Sequence, residues 1–117
     1  MLRDSRVGGL VAEQGHRAQE ETLREMARYF YALKDMMRLR ILVTLADTEE
    51  MTVSELARAL RASQPLVSFH LRPLRTLGLI SVRRAGREVF CSLDMAEIRR
   101  RHDEFIWMLS HPVDETT

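Results

Sequence analysis

Gly78 divides the chain into two kinds of pattern. Before it, apolar residues recur at three- and four-residue steps. After it, Ile80 and Val82 alternate with Ser81 and Arg83, and Val89, Cys91 and Leu93 alternate with Phe90 and Ser92. The first spacing lines one face of a helix, the second one face of a strand. Arg84-Ala85-Gly86-Arg87 supplies a turn between the alternating runs, so residues 80–93 predict a β-hairpin with a basic tip. Immediately upstream lie two short, sharply bounded helices. Thr52 stands as an N-cap with Glu55 three residues on, the spacing of a capping box. The helix it opens carries Val53, Leu56, Ala57 and Leu60 on one side and ends near Arg61. Ser63 is a second N-cap, followed by Gln64 and by Pro65, which a first helical turn tolerates because its missing N–H needs no partner there. Val67, Leu71, Leu74 and Leu77 form the inward stripe of this helix, and Gly78 suits its C-terminal cap. Two short helices with a tight polar turn between them make a helix-turn-helix.

The flanks are helical too. From about Glu20, Leu23, Met26, Phe30 and Leu33 mark one apolar stripe. A second helix is predicted over Met36–Ala46 with Leu39, Leu42, Val43 and Ala46 facing inward, and Asp47 to Glu50 form a polar connection. Beyond the hairpin, Asp94 caps a last helix with Glu97 three residues on. Ile98, Phe105, Met108 and Leu109 give it an apolar side, and Pro112 lies just past its end. The first residues, with Gly8, Gly9 and Gly15, read as a loose arm. The expected organisation is a flexible arm over 1–19, a domain over 20–111 and a tail over 112–117. The fold class is mainly α with a small β-hairpin, in the order α-α-α-α-β-β-α: a winged helix-turn-helix.

A chain of 117 residues has room for one modest core. Its 45% hydrophobic and 30% charged residues are the balance of a folded, soluble domain. No apolar run approaches the ~20 residues of a membrane span, and the N-terminal stretch lacks the continuous apolar segment of a secretion signal. Cys91 is the one cysteine, so neither an internal disulfide nor a zinc ribbon is available. A cytoplasmic protein without membrane contact is the expectation.

The net charge of +1 conceals an uneven distribution. Arg58, Arg61, Arg72, Arg75, Arg83, Arg84 and Arg87 fall between Leu56 and Arg87, a window without Asp or Glu. That window carries +7 and the remainder, with 11 basic and 17 acidic residues, carries −6. A basic block in an otherwise acidic chain is the footprint of a surface that meets phosphates. A helix is also the right width for the major groove, where base edges present distinguishable donors and acceptors. The fourth helix presents Gln64, Ser68, Phe69 and Arg72 opposite its leucine stripe, with Ser63 at its start. Gln64 and Ser68 suit hydrogen bonds to bases, and Phe69 suits a thymine methyl. His70, Arg72 and Arg75 suit phosphates or the groove edge, and the wing residues Arg83, Arg84 and Arg87 suit the backbone or the flanking minor groove.

The runs ALKDMMRLRILVTLAD, MTVSELARAL, SQPLVSFHLRPLRTLGLI and VRRAGREVFCSL together resemble the ArsR/SmtB family of bacterial repressors. The most specific pieces are RLRIL at 38–42, SQPLVSFHL at 63–71 and LRTLGLI at 74–80. The resemblance implies a homodimer built from the first and last helices, which blocks transcription and releases double-stranded operator DNA when an inducer binds. Leu23, Met26, Phe30, Ile98, His102, Phe105 and Leu109 then supply the dimer seam. By position, Gln64, Pro65, Ser68 and Phe69 fall at base-facing sites. Pro65 and Phe69 replace positions that are often polar, so the operator preference is expected to differ from that of better-known members.

The same resemblance bears on the effector. Many members carry Cys-Val-Cys at the start of the third helix, where this chain has Thr52 and Ser54, so a thiolate metal site is not expected. Others hold zinc or nickel on the last helix, at positions matched here by Met95, Glu97, Met108 and His111. Thioethers are poor zinc ligands, which leaves Glu97 and His111, with His102 nearby. His102 reads as a seam residue, Cys91 as a small core hydrophobe, and the seven methionines as core filler. The expectation is therefore no metal and no cofactor, with the effector unknown and a zinc, nickel or copper sensor as the alternative. An enzyme would need a nucleophile with its base, paired carboxylates, a phosphate loop or a metal cluster, and none of these patterns occurs. A protein-binding winged helix would usually lose its basic wing, which this chain keeps. Activation in place of repression stays open, since its sign depends on operator position.

Overall fold

The computed structural model describes residues 5–111, with side chains from Gly15 onward. The elements run α1 (Ser5–Leu33), α2 (Met36–Ala46), β1 (Met51–Thr52), α3 (Val53–Leu60), α4 (Gln64–Thr76), β2 (Ile80–Ala85), β3 (Glu88–Leu93) and α5 (Met95–Ser110). This is the winged helix-turn-helix order with one added strand. The tail at 112–117, with Pro112, and residues 1–4 of the expected arm lie outside the described residues.

Local chemistry sets most boundaries. Asp35 caps α2 by accepting the Arg38 N–H at 3.0 Å. Thr52 and Glu55 complete the capping box of α3, with bonds of 3.0 and 3.2 Å. Ser63 and Asp94 cap α4 and α5 through the Leu66 and Glu97 amides. At the end of α4 the Gly78 N–H bonds to the Arg75 carbonyl and the Leu79 N–H to that of Leu74, with Gly78 at φ +77°. This paired closure is what a left-handed glycine permits. Arg61 closes α3 in the same way at φ 53°, a conformation that costs a residue with a Cβ roughly 1 kcal/mol. In the wing, Ala85 pairs with Glu88 around a two-residue turn in which Gly86 takes φ +63°. Glycine at the first turn position gives a backbone twist that matches the flanking strands.

The structure corrects three expectations. First, α1 begins at Ser5 and not near Glu20, so residues 5–19 are helical where an irregular arm is expected. Its glycines each cost about 1 kcal/mol in a helix interior, but Leu10, Ala12, Glu13 and Gln14 between them are strong helix formers. Second, α2 buries Ile41 and Leu45, while Leu39 and Val43 face solvent and Ala46 is exposed. With apolar residues on most sides, MMRLRILVTLA offers two stripes of equal spacing, and periodicity cannot choose between them. Third, the sheet has three strands in the order β1-β3-β2, because Met51 and Thr52 pair with Cys91 and Phe90. A two-residue strand is too short to show alternation.

The core gathers Tyr29 from α1, Ile41 and Leu45 from α2, Leu56 from α3, Val67, Leu71 and Leu74 from α4, and Leu79, Ile80 and Cys91 around the sheet. Each such side chain contributes on the order of 1.5–3 kcal/mol of apolar burial. The core thus fastens α4 and the wing to one another and sets the exposed face of α4 beside the hairpin.

Candidate nucleic-acid interface

α4 rests on its Val67-Leu71-Leu74 stripe, so its other face is left to solvent. Gln64, Pro65, Ser68, Phe69 and Arg72 all lie on that exposed face, as expected. The Gln64 side-chain amide donates to the Ser54 hydroxyl at 3.0 Å and ties the start of α4 to the start of α3. Ser63 spends its hydroxyl on the Leu66 amide, so its part in the site is to hold the helix terminus.

Between α4 and the wing runs a groove of about 450 Å³. Gln64, Ser68, Arg72 and Arg75 line it from α4, and Arg84 and Arg87 face them from the wing. Residues 64–75 and 84–87, apart in sequence, thus form one concave strip carrying four guanidinium groups. Glu88 is the acid among the lining residues. Guanidinium groups fork onto phosphate oxygens or guanine edges, and an amide pairs with adenine, so the strip suits a polyanion that also presents base edges.

Two expected members are turned elsewhere. Arg83 donates to both carboxylate oxygens of Glu50, at 2.7 and 3.2 Å, and its guanidinium lies 4.5 Å over the Phe90 ring. The Arg83 hydrogen bond holds the Glu50 carboxyl below the usual carboxylate range, and Glu50 raises Arg83 in turn. The acid-free window of the sequence therefore acquires an acid in space. Arg83 tethers the wing to the segment before β1 and is not a free basic tip. His70 is half-buried against α2: the Arg38 Nε–H donates to its Nδ1 at 3.3 Å, and the Asp35 carboxylate lies 3.7 Å away. His70 meets Phe69 edge-on at 5.3 Å, so it supports the exposed ring from behind.

The expected seam residues divide within one chain. Met26 is buried, while Phe30, Ile98 and Phe105 are half-buried. Phe30 packs edge-on against Phe105 at 5.0 Å and tilted against His102 at 6.1 Å, which joins α1 to α5. Leu23 and Leu109 remain exposed, and Ile106 and Trp107, which the periodicity did not single out, are exposed beside them. Tyr29 was also missed: the residue is 1% exposed, its hydroxyl has no hydrogen-bond partner among the described residues, and burial raises its pKa.

The positions compared with metal sensors are engaged in other ways. Thr52 and Ser54 take part in the cap and the Gln64 bond. Glu97 pairs with Arg100 and, at 3.4 Å, with Arg101; the Arg100 hydrogen bond is the main reason its carboxyl sits below the usual range. His111 stacks on Trp107 at 4.5 Å, with Nδ1 3.0 Å from the Trp107 carbonyl. Met95 is exposed and Met108 half-buried. No three His, Cys, Asp or Glu side chains cluster among the described residues of one chain. Cys91 is fully buried, and desolvation raises its thiol pKa, which keeps it in the unreactive protonated form. No described helix is long and apolar enough to cross a membrane.

Residues 35–82 match the family model for bacterial regulatory proteins of the arsR family. The chain is 41% identical over 86 residues to the transcriptional repressor SmtB homolog of Synechocystis sp., an overlap of 69% of this chain and 64% of that one. It thus spans just under two thirds of that relative's length. To the HTH-type transcriptional regulator NmtR of Mycobacterium tuberculosis it is 37% identical over 87 residues, covering 74% of this chain and 72% of the relative. The solved ArsR-like transcriptional regulator from Rhodococcus sp. RHA1 superposes with a TM-score of 0.69 at 29% identity, over 77% of this chain and 84% of that one.

Proposed function

Because this chain belongs to the arsR family of bacterial regulatory proteins, we propose that it binds operator DNA as a homodimer and represses transcription until an effector releases it. The observation that carries the reading is the single groove in which Gln64, Ser68, Arg72 and Arg75 of α4 face Arg84 and Arg87 of the wing. In a two-fold dimer the two α4 helices enter successive major grooves about 34–36 Å apart on one face of the duplex. Gln64, Ser68 and Phe69 read base edges, while the arginines neutralise phosphate and fix the register. The exposed Leu23, Ile106, Trp107 and Leu109 of α1 and α5 support a seam between two copies. The side chains at 52 and 54, hydroxyls committed to internal hydrogen bonds, favour a signal other than a thiophilic metal.

The test is a fluorescence-anisotropy titration against the DNA upstream of the protein's own gene, at two salt concentrations, with and without divalent metals and Cu(I). Sequence-selective binding that weakens steeply with salt is the expected result. Binding no tighter than to a random duplex overturns the reading in favour of a protein-binding module. Release by one metal replaces the metal-independent reading with a site drawn from Glu97, His102 and His111.

A further inference from the structure

A second cavity, of about 620 Å³, shares no lining residue with the α4–wing groove. α1 contributes Arg28, Tyr31 and Ala32 to it, α2 contributes Arg38, and the C-terminal half of α4 contributes Pro73, with Leu77 at its C-cap. Its size falls in the roughly 300–1,000 Å³ range of small-molecule sites. The walls are largely apolar, but cations gather at them. Arg28 has no side-chain partner among the described residues. Arg38 commits Nε to His70, and its two terminal nitrogens make no bond among those residues. The Lys34 ammonium stands 4.5 Å over the Tyr31 ring. The acid shown beside this group is Asp35, and its carboxylate is already shared between the Arg38 amide at 3.0 Å and His70 at 3.7 Å.

An open apolar groove edged by unspent guanidinium groups suits an amphiphilic anion. We propose that this cavity is an effector site for a small monocarboxylate with an apolar body, its carboxylate held by Arg28 and Arg38 and its body lying along Tyr31, Ala32, Pro73 and Leu77. Binding there reaches the reading surface by a short route. A carboxylate that draws the Arg38 guanidinium into the groove pulls its Nε away from His70, and His70 backs the exposed Phe69 ring on the same helix. Pro73 also lacks the N–H that would bond to the Phe69 carbonyl, so α4 is short of one internal bond between the cavity wall and the base-facing surface. A ligand shifts α4 only so far as it prefers the arrangement in which Arg38 has left His70. The release step rests on the DNA-binding reading above; the binding step does not.

Calorimetric titration of the full chain with sodium octanoate tests the site, with 1-octanol as the uncharged control. Saturable octanoate binding is expected. It should weaken at least tenfold in Arg28→Gln and be lost in Ala27→Trp, which fills the cavity from an exposed wall position. Saturating octanoate should lower operator affinity at least tenfold in the wild type and leave Ala27→Trp unchanged. The proposal is overturned if octanoate does not bind, if 1-octanol binds equally, or if neither substitution affects binding. It also fails if octanoate binds without altering operator affinity. Loss of self-association in Ala27→Trp, read by sedimentation velocity, overturns it by assigning the cavity to a second copy. Octanoate binding to a protein that ignores operator DNA altogether instead supports the site and removes the regulator reading.

Discussion

Between α2 and β3, Ile41, Leu45, Leu56, Val67, Leu74, Leu79 and Cys91 are withdrawn completely from solvent, whereas α5 buries none of its residues. The first region is a finished structure. Its helices are capped at both ends, and its sheet lies against its own core. The second region, α1 with α5, is joined by Phe30, Phe105 and His102 but leaves Leu23, Ile106, Trp107 and Leu109 in the open. An amphipathic layer of this kind completes its burial only against another surface, so the α2–β3 region rests on the core of one chain and, in the proposed dimer, the α1–α5 layer rests on two. Under the proposed function, recognition and assembly thus have different sources of stability.

The sharpest test of this difference is a pair of truncations. Leu74→Ala in the finished core should cost about 2–5 kcal/mol in denaturant unfolding, enough to endanger the fold. Trp107→Ala with Leu109→Ser should leave the stability of the head nearly unchanged and abolish self-association in sedimentation velocity. Equal losses of stability in both variants would erase the distinction between the regions. Next in size, Arg84→Gln with Arg87→Gln should weaken operator binding broadly and reduce the slope of log affinity against log salt by about 1 for each phosphate contact removed. Arg83→Gln should change that slope less, because its guanidinium is already paired with Glu50. Thr52→Ala removes a cap within the head and should cost about 1 kcal/mol. The same change should not affect dimerisation, which concentration-dependent sedimentation would check.

The smallest effect is on acid stability. Glu50 and Glu97 are held below the ordinary value near 4.5 by hydrogen bonds from Arg83 and Arg100, and Glu55 by that from the Thr52 backbone. A depressed carboxyl adds stability above its unfolded pKa and loses it as the pH falls through its folded one. Unfolding free energy should therefore be flat above about pH 5 and decline below 4.5, with Glu50→Gln flattening part of the decline. A decline that begins between pH 6 and 7 would assign it to histidine.

The α4–wing groove was half legible in advance. Gln64, Ser68, Arg72 and Arg75 follow from helical spacing opposite a leucine stripe, and the structure brings them together with Arg84 and Arg87 as that pattern implies. The pairings of Arg83 and His70 were not legible, because their partners, Glu50 and Arg38, lie 33 and 32 residues away. A count of charges along the chain does not register such pairings. The second cavity was not legible at all, since its walls come from three separate helices that no local spacing brings together.

What the sequence determined by itself is therefore local. The bounds of α2, the capping box of α3, the Ser63 and Asp94 caps, the glycine closure after α4 and the turn at Gly86 all depend on groups a few residues apart. Tertiary structure alone decided which stripe of α2 faces inward, that Met51 and Thr52 add a third strand, and where Arg83 and His70 spend their polar atoms. Those outcomes depend on which distant surfaces meet. Meeting them costs loop-closure entropy that only the whole core repays, so no short window of sequence contains the answer.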